Sequence, residues 1–292
     1  MSFAARLPHY AHLIRIDKID KQAGTMFLVW PTLWALWMAA EGHPSPWLVF
    51  IFAFGSFLMH SSGCIINDFC DRDVDPHVKR TCDRPLATGV LSVKEAMWFA
   101  VGILAVAFAL VLSLNNPLVV WWAVAALLVT LVYPLTKRFL PIPQAFLGFA
   151  FGFGMPMAYA AVQSHVPPLV WLLMVGNLFW TIAYDTAYAM CDRDDDEKLG
   201  FVMSSAMTFG KKEVAAVMLS YALFFSLTTA AALLSGLGWP FLLGMGGACG
   251  FALYNYTLIR TRERAACWRA FVNTNWVGAC IFGGVVLDYL VR

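Results

Sequence analysis

The residues best equipped for chemistry lie in two short acidic windows of an otherwise apolar chain. The first, Gly63 to Pro85, reads GCIINDFCDRDVDPHVKRTCDRP and holds Asn67, Asp68, Asp71, Asp73, Asp75 and Asp83 among Arg72, Lys79, Arg80 and Arg84. The second, YDTAYAMCDRDDDEKLG, holds Asp185, Asp192, Asp194, Asp195, Asp196 and Glu197. Together they contain 11 of the 18 acidic residues. Asn67, Asp71 and Asp75 stand at i, i+4 and i+8, and Asp68 precedes Asp71 by three. A continuing helix would therefore place all four in one stripe. Pro76 disfavours helix in the residue before it, which makes Asp75 the expected last helical position. Asp185, Asp192 and Asp196, at i, i+7 and i+11, form a second stripe, with Gly200 as its stop.

Stacked carboxylates repel one another and are costly near hydrocarbon. Shared hard cations relieve that cost. Mg²⁺ takes one or two carboxylates per ion and completes its shell with water and phosphate oxygens. Two facing acidic stripes with Arg72, Lys79, Arg80, Arg84, Lys137 and Arg138 around them read as a Mg²⁺-bridged diphosphate site. The cations would clamp the oxygens that the metal leaves free. The plainer reading, solvated acidic loops that complement a basic face, suits Asp73, Asp83, Asp194 and Glu197 at least as well.

The elements that must position these groups are membrane helices. The 292 residues are 60% hydrophobic and 13% charged, with a mean hydropathy of +0.68. Apolar runs recur along the whole length, so the class is all-α and polytopic rather than a soluble domain with an anchor. Nothing in the composition points to nucleic acid. Nine spans are expected, at about 23–40, 46–66, 95–114, 117–135, 142–162, 167–190, 212–234, 237–258 and 270–290. Pro44 and Pro46, Asn115 to Pro117, Pro141 and Pro143, Pro167 and Pro168, and Gly236 to Pro240 mark the breaks. Residues 1–21 suit an interfacial helix. With nine spans, 19 of the 20 Lys and Arg fall on one side and only Arg292 on the other. That side is cytoplasmic by the positive-inside rule, and both acidic windows lie on it, in loops 2–3 and 6–7. The chain reads as one domain, residues 1–292, with possible four-helix repeats at 23–140 and 141–258 followed by helix 9. The seven Cys form no CxxC pair, which argues against a disulfide or metal-thiolate framework. Trp47, Trp121, Trp122, Trp239 and Trp268 suit interface anchors. Phe146, Phe149, Phe151, Phe153 and Met155, with Gly148, Gly152 and Gly154, could line a tunnel for an apolar tail, although packing and lipid contact explain any one of them as well. His60 and His77 are the His closest to the first window.

The string Asn67-Asp68-x-x-Asp71-x-x-x-Asp75 followed by Arg80-x-x-x-Arg84-Pro85-Leu86 resembles the first motif of the UbiA superfamily of intramembrane prenyltransferases, and Asp192-x-x-x-Asp196 resembles its second. The run Tyr184-Asp185-Thr186-x-Tyr188-Ala189-Met190-x-Asp192 to Asp196 is similar to the branch that prenylates 4-hydroxybenzoate for ubiquinone. Trp30 to Leu36, and Arg262-Glu263-Arg264 with Cys267 and Phe271, fit that branch too. The resemblance implies a nine-helix bundle around a central cavity in the bacterial inner membrane. Its implied substrates are a polyprenyl diphosphate and 4-hydroxybenzoate, with Mg²⁺ as the only cofactor and lipid as the surroundings. It implies that Asn67 and Asp71 hold one Mg²⁺, that Asp192 and Asp196 hold the other, and that Asp68 and Asp75 complete the first cluster. Tyr133, Lys137 and Arg138 take positions that contact diphosphate or the aromatic acid, and Asp185 could orient the phenol or stabilise a cation. Catalytic weight falls on Asp71, Asp75, Asp185, Asp192 and Arg138. Lys18 and Gln22 depart from the family's usual Arg and Pro, which puts an anion contact at residue 18 in question. Asp195 could replace Asp196 as ligand. Other acceptors are conceivable, namely homogentisate, dihydroxynaphthoate or haem. A secondary transporter would carry sparse acids at mid-span, and a CDP-alcohol phosphotransferase would open with an Asp-Gly-x-x-Ala-Arg pattern that this chain lacks.

Overall fold

A computed structural model describes residues 3–200 and 202–292, and among them there is helix but no strand. Eight helical segments are long and apolar enough to cross a membrane. The first expected span, α2 (Ala23–Ala39), is a helix of 17 residues. At about 1.5 Å per residue it reaches ~26 Å, a little short of a ~30 Å hydrocarbon core. It is also among the most deeply packed elements, because Phe27, Trp34, Ala35 and Leu36 are almost wholly buried. Before it, within the residues expected to form an interfacial helix, lies α1 (Phe3–Leu13). It is fastened to the start of α4 (Val93–Leu112) by Arg6 and Tyr10, which both donate to Glu95.

Caps and prolines set most helix starts. Pro46 opens α3 (Pro46–Asp71) and Pro117 opens α5 (Pro117–Thr136), where a missing N–H costs nothing. Asn116 caps α5 by accepting from Leu118 N at 3.0 Å, and Ser92 caps α4 by accepting from Glu95 N at 3.2 Å. The fifth expected span is broken into α6 (Pro143–Gly152) and α7 (Gly154–Gln163). Glycine is needed at two close crossings there. A Cβ at Gly154 would fall 2.0 Å from Thr32 Oγ1, and one at Gly148 would fall 2.7 Å from the Cα of Leu178. The bundle continues with α8 (Leu169–Leu199), the short α9 (Ser205–Phe209), α10 (Glu213–Leu234), α11 (Trp239–Ile259) and α12 (Arg264–Val291).

Helix α8 runs through the centre and packs on α6, α10 and α12. Between α2, α8, α10 and α12 lies an aromatic core, in which Phe27 stacks on Tyr184 at 4.0 Å between centroids and Trp180 stacks on Phe224 at 5.4 Å. Helices α3, α4 and α5 stand on the other side of a cavity of about 900 Å³. The cavity is lined from Asp71 at one end of α3 to Ile51 near the other, a length of about 30 Å at the helical rise.

Candidate active site

The two acidic helices end at the same mouth of this cavity, but they end differently. Helix α8 continues to Leu199 and stops at Gly200, whose φ of 72° is the left-handed cap that glycine supplies. Helix α3 stops at Asp71, four residues earlier than expected. Asp75 instead opens a 3₁₀ turn, Asp75–His77, and Thr81 Oγ1 donates to its carbonyl at 3.2 Å. Pro76 disfavours α-helix at Asp75, and a turn bond from Val74 N to Asp71 O at 2.8 Å has already diverted the chain. The loop from 72 to 91 therefore folds across the mouth from the first cluster to the second.

Asn67, Asp71, Asp75, Asp185, Asp192 and Asp196 all line the cavity. Lys137, just past α5, donates to Asn67 Oδ1 and Asp71 Oδ2, each at 2.8 Å. Burial is the largest single influence and works against its charge, but Asp71 and Tyr133 together outweigh it, so the ammonium is held above its ordinary range. Across the mouth Arg80 clasps both oxygens of Asp192, with Nε at 3.0 and 3.1 Å and Nη2 closing the fork. The Arg80 guanidinium also lies 4.1 Å above the centre of the Tyr188 ring. Arg84 reaches both oxygens of Asp75, at 3.0 and 2.9 Å. Burial is the larger influence on Asp75 and keeps its carboxyl above the usual range despite that contact.

Of the other expected site residues, Lys79, Arg80, Arg84, Tyr133 and Arg138 line the cavity, and Arg138 also donates to the Cys70 carbonyl at 3.1 Å. Two do not. Arg72, the C-cap of α3, donates to the Phe69 carbonyl and pairs with Asp73. Asp68 is fully buried off the cavity, and Arg15 and Arg84 take its carboxylate. Asp195 and Asp196 lie in different surroundings. Asp196 lines the cavity, whereas Asp195 accepts from Arg264 at 2.9 Å and from Lys79 N at 3.3 Å.

Several lining residues carried no expected role. Arg15, Gln144 and Arg264 belong to this group; Arg264 stood in a string that fits the family branch, and sequence pattern offers no signal for Arg15 and Gln144 beyond polarity at helix ends. Trp268 lines the cavity and donates to Asp20 at 3.2 Å, so it is not a lipid-interface anchor. Its Nε1–H found a partner inside the protein. Lys18 and His60 line the cavity, but His77 does not. Of the aromatics expected in a tunnel only Phe151, with Gly154, faces the lumen. Phe153 packs on Trp122, and Phe149 is exposed.

The mouth is thus polar and rich in paired charge, and the shaft below it is apolar. Among the described residues no three His, Cys, Asp or Glu side chains lie close enough to enclose a metal ion. Each cluster offers oxygen donors in ones and twos on an open cavity. That suits Mg²⁺, which keeps several positions for water and phosphate oxygens.

Comparison with known proteins agrees with this geometry. The UbiA prenyltransferase family matches residues 28–278. A 4-hydroxybenzoate octaprenyltransferase of Cupriavidus necator is 55% identical over 98% of this chain and 99% of its own length. The enzyme of that name from Azoarcus sp. is 52% identical over the full length of both. Among solved structures, a UbiA homolog from Aeropyrum pernix K1 superposes with a TM-score of 0.75 at 22% identity, covering 87% of this chain and 96% of the other. A UbiA homolog from Archaeoglobus fulgidus bound to GPP and Mg²⁺ superposes with a TM-score of 0.64 at 17% identity, covering 95% and 99%. At those identities the superpositions establish the fold alone.

Proposed function

The chain belongs to the UbiA prenyltransferase family, and from that premise we propose that it transfers a polyprenyl group, octaprenyl by analogy with its relatives, from polyprenyl diphosphate to 4-hydroxybenzoate in ubiquinone biosynthesis. One observation carries this reading. A single cavity, mouth included about as long as the bilayer core is thick, joins two carboxylate clusters and their cations at its mouth to an apolar shaft. That is the shape of an amphiphile with a charged head and a long hydrocarbon tail. The excess of Lys and Arg at the mouth end supports a cytoplasmic orientation in the bacterial inner membrane.

Asn67 and Asp71 would hold one Mg²⁺ and Asp192 and Asp196 a second. Bound there, the metal would neutralise charge on the leaving diphosphate. Arg80, Arg84, Lys137 and Arg138, with Lys79 at the rim, supply further positive charge to the same oxygens. Stabilisation of that kind is most effective in a site where water is excluded. The allylic C–O bond breaks with its electron pair going to diphosphate. The ring carbon ortho to the phenol then bonds to the allylic carbon, and loss of the ring proton restores aromaticity. Tyr133, Tyr184, Tyr188, Phe27 and Phe271 line this end of the cavity and offer ring faces to the developing cation. Asp185, about 10 Å along α8 from Asp192, would orient the acceptor phenol or stabilise the cation.

Membranes carrying the protein, given labelled 4-hydroxybenzoate and octaprenyl diphosphate, will form 3-octaprenyl-4-hydroxybenzoate with Mg²⁺ and none with excess EDTA. Product on homogentisate or dihydroxynaphthoate instead would reassign the acceptor. No product with any aromatic acceptor would overturn the reading.

The shaft makes a second prediction. Gly55 lines it, and a Cβ there would meet nothing within 4 Å. Gly55→Phe places a ring in the lumen about 24 Å below Asp71 along α3. It should slow octaprenyl transfer by roughly tenfold or more, the effect of a clash of 1–3 kcal/mol, and leave geranyl transfer near normal. Equal effects on both donors would show that the tail does not pass Gly55.

A further inference from the structure

The first acidic window contains one buried carboxylate that the cavity does not reach. Asp68 is fully buried, and its Oδ1 accepts from Arg15 Nη2 at 2.6 Å and lies 3.0 Å from Arg84 Nη1. Its Oδ2 is buried with no hydrogen-bond partner. Mg²⁺ needs near-octahedral room for water and phosphate oxygens beside each carboxylate. A carboxylate without exposure, set behind two guanidinium groups, provides none.

The two arginines do line the cavity. They come from distant parts of the chain. Arg84 belongs to the loop across the mouth, where it also grips Asp75. Arg15 follows α1, in a left-handed conformation with φ of 65°. Its carbonyl accepts from Gln22 Nε2 at 2.9 Å, and its Nη1 donates to the His12 carbonyl at 3.0 Å. Leu13, two residues earlier, is fully buried in a cluster that includes Leu58 and Ile65 of α3. The backbone and head of Arg15 are therefore both fixed. Two guanidinium groups at this separation repel unless an anion stands between them, and Asp68 is that anion. Each guanidinium carries five N–H donors, more than these contacts engage.

We propose that Asp68 is a positioning residue rather than a metal ligand, and that it holds Arg15 and Arg84 together at the cavity wall so that both receive the diphosphate of the polyprenyl donor. The proposal rests on the reading of the cavity as a polyprenyl diphosphate site. It adds Arg15 to the groups that bind the head of the substrate and removes Asp68 from the metal shell. The arginine pair is pre-organised, so little side-chain freedom is lost when the anion arrives.

The test measures initial rates of prenyl transfer by the full chain in membranes, first against octaprenyl diphosphate at saturating Mg²⁺ and then against Mg²⁺ at saturating donor. Asp68→Asn should raise the donor KM by on the order of tenfold or more, the usual consequence of losing a hydrogen bond to a charged group. The Mg²⁺ concentration for half-maximal rate should stay at the wild-type value. Arg15→Gln should raise the donor KM to a similar degree, and the double variant should lose little beyond either single one, since both break the same contact. A raised Mg²⁺ requirement with an unchanged donor KM would make Asp68 a ligand and overturn the proposal. So would no change in either parameter. If Asp68→Asn does not accumulate in membranes, Arg15→Gln carries the same measurement, and an unchanged donor KM there overturns the proposal as well. Absence of product from the wild-type chain would count against the prenyltransferase reading itself.

Discussion

Asp71→Asn and Asp192→Asn should each lower prenyl transfer by at least about 10²–10³-fold, the usual cost of removing one charge-stabilising group from a pre-organised site. Neither change alters size, and Asn still offers one oxygen. What disappears is the negative charge on α3 that pairs with Lys137, or the one on α8 that pairs with Arg80. The two losses should also look alike, because each aspartate stands for one of the two clusters that grip the diphosphate from opposite walls. Both variants should insert normally, since both positions lie at the polar mouth and the apolar runs are untouched. Immunoblots of washed membranes establish insertion, and the rate against Mg²⁺ establishes the mechanism. A raised Mg²⁺ requirement beside the lost rate is the expected pair of results. Near-normal turnover in either variant would remove that residue from the metal site.

The contrast between these two positions shows how much of the site the sequence displayed. For α8 the helical period was sufficient. Asp185, Asp192 and Asp196 share one face because the helix persists to Leu199, and that persistence separates Asp196 on the cavity from Asp195 on Arg264. For α3 the period was correct as far as it ran. Asn67 and Asp71 are about 40° apart around the helix axis, whereas Asp68 is about 100° from Asn67. A stripe that wide does not face one neighbour, and its edge turned towards Arg15. Nothing local announces that contact, because it spans 53 positions. The end of α3 was equally hidden. Pro76 sets a latest end for the helix at about its predecessor, but it does not forbid an earlier turn. The all-helical, many-spanned class was more legible, since apolar runs recur along the whole chain. The break between α6 and α7 was not, because it answers to Thr32 on another helix.

Arg84→Met should combine a loss of activity with a loss of stability that depends on pH. Arg84 is nearly buried and is the one cation shared by Asp68 and Asp75. Methionine fills much of the same volume but leaves two buried carboxylates with less compensation. Breaking a buried ion pair in this way costs about 3–5 kcal/mol. The sign of the pH effect follows from Asp75. Burial already holds its carboxyl above the ordinary range, and Arg84 is the largest opposing influence. Without Arg84 the folded-state value rises further, while the unfolded-state value stays near 4. Between the two values the folded protein then binds more protons than the unfolded one, so stability falls as pH rises through that window. The deficit of the variant against wild type should therefore be greatest at neutral and alkaline pH and shrink on acidification towards pH 4–5. Thermal unfolding in detergent across that range measures it. A deficit that stays constant with pH would mean that Arg84 acts by packing alone. A deficit that grows on acidification would mean that the carboxylates are not what it neutralises.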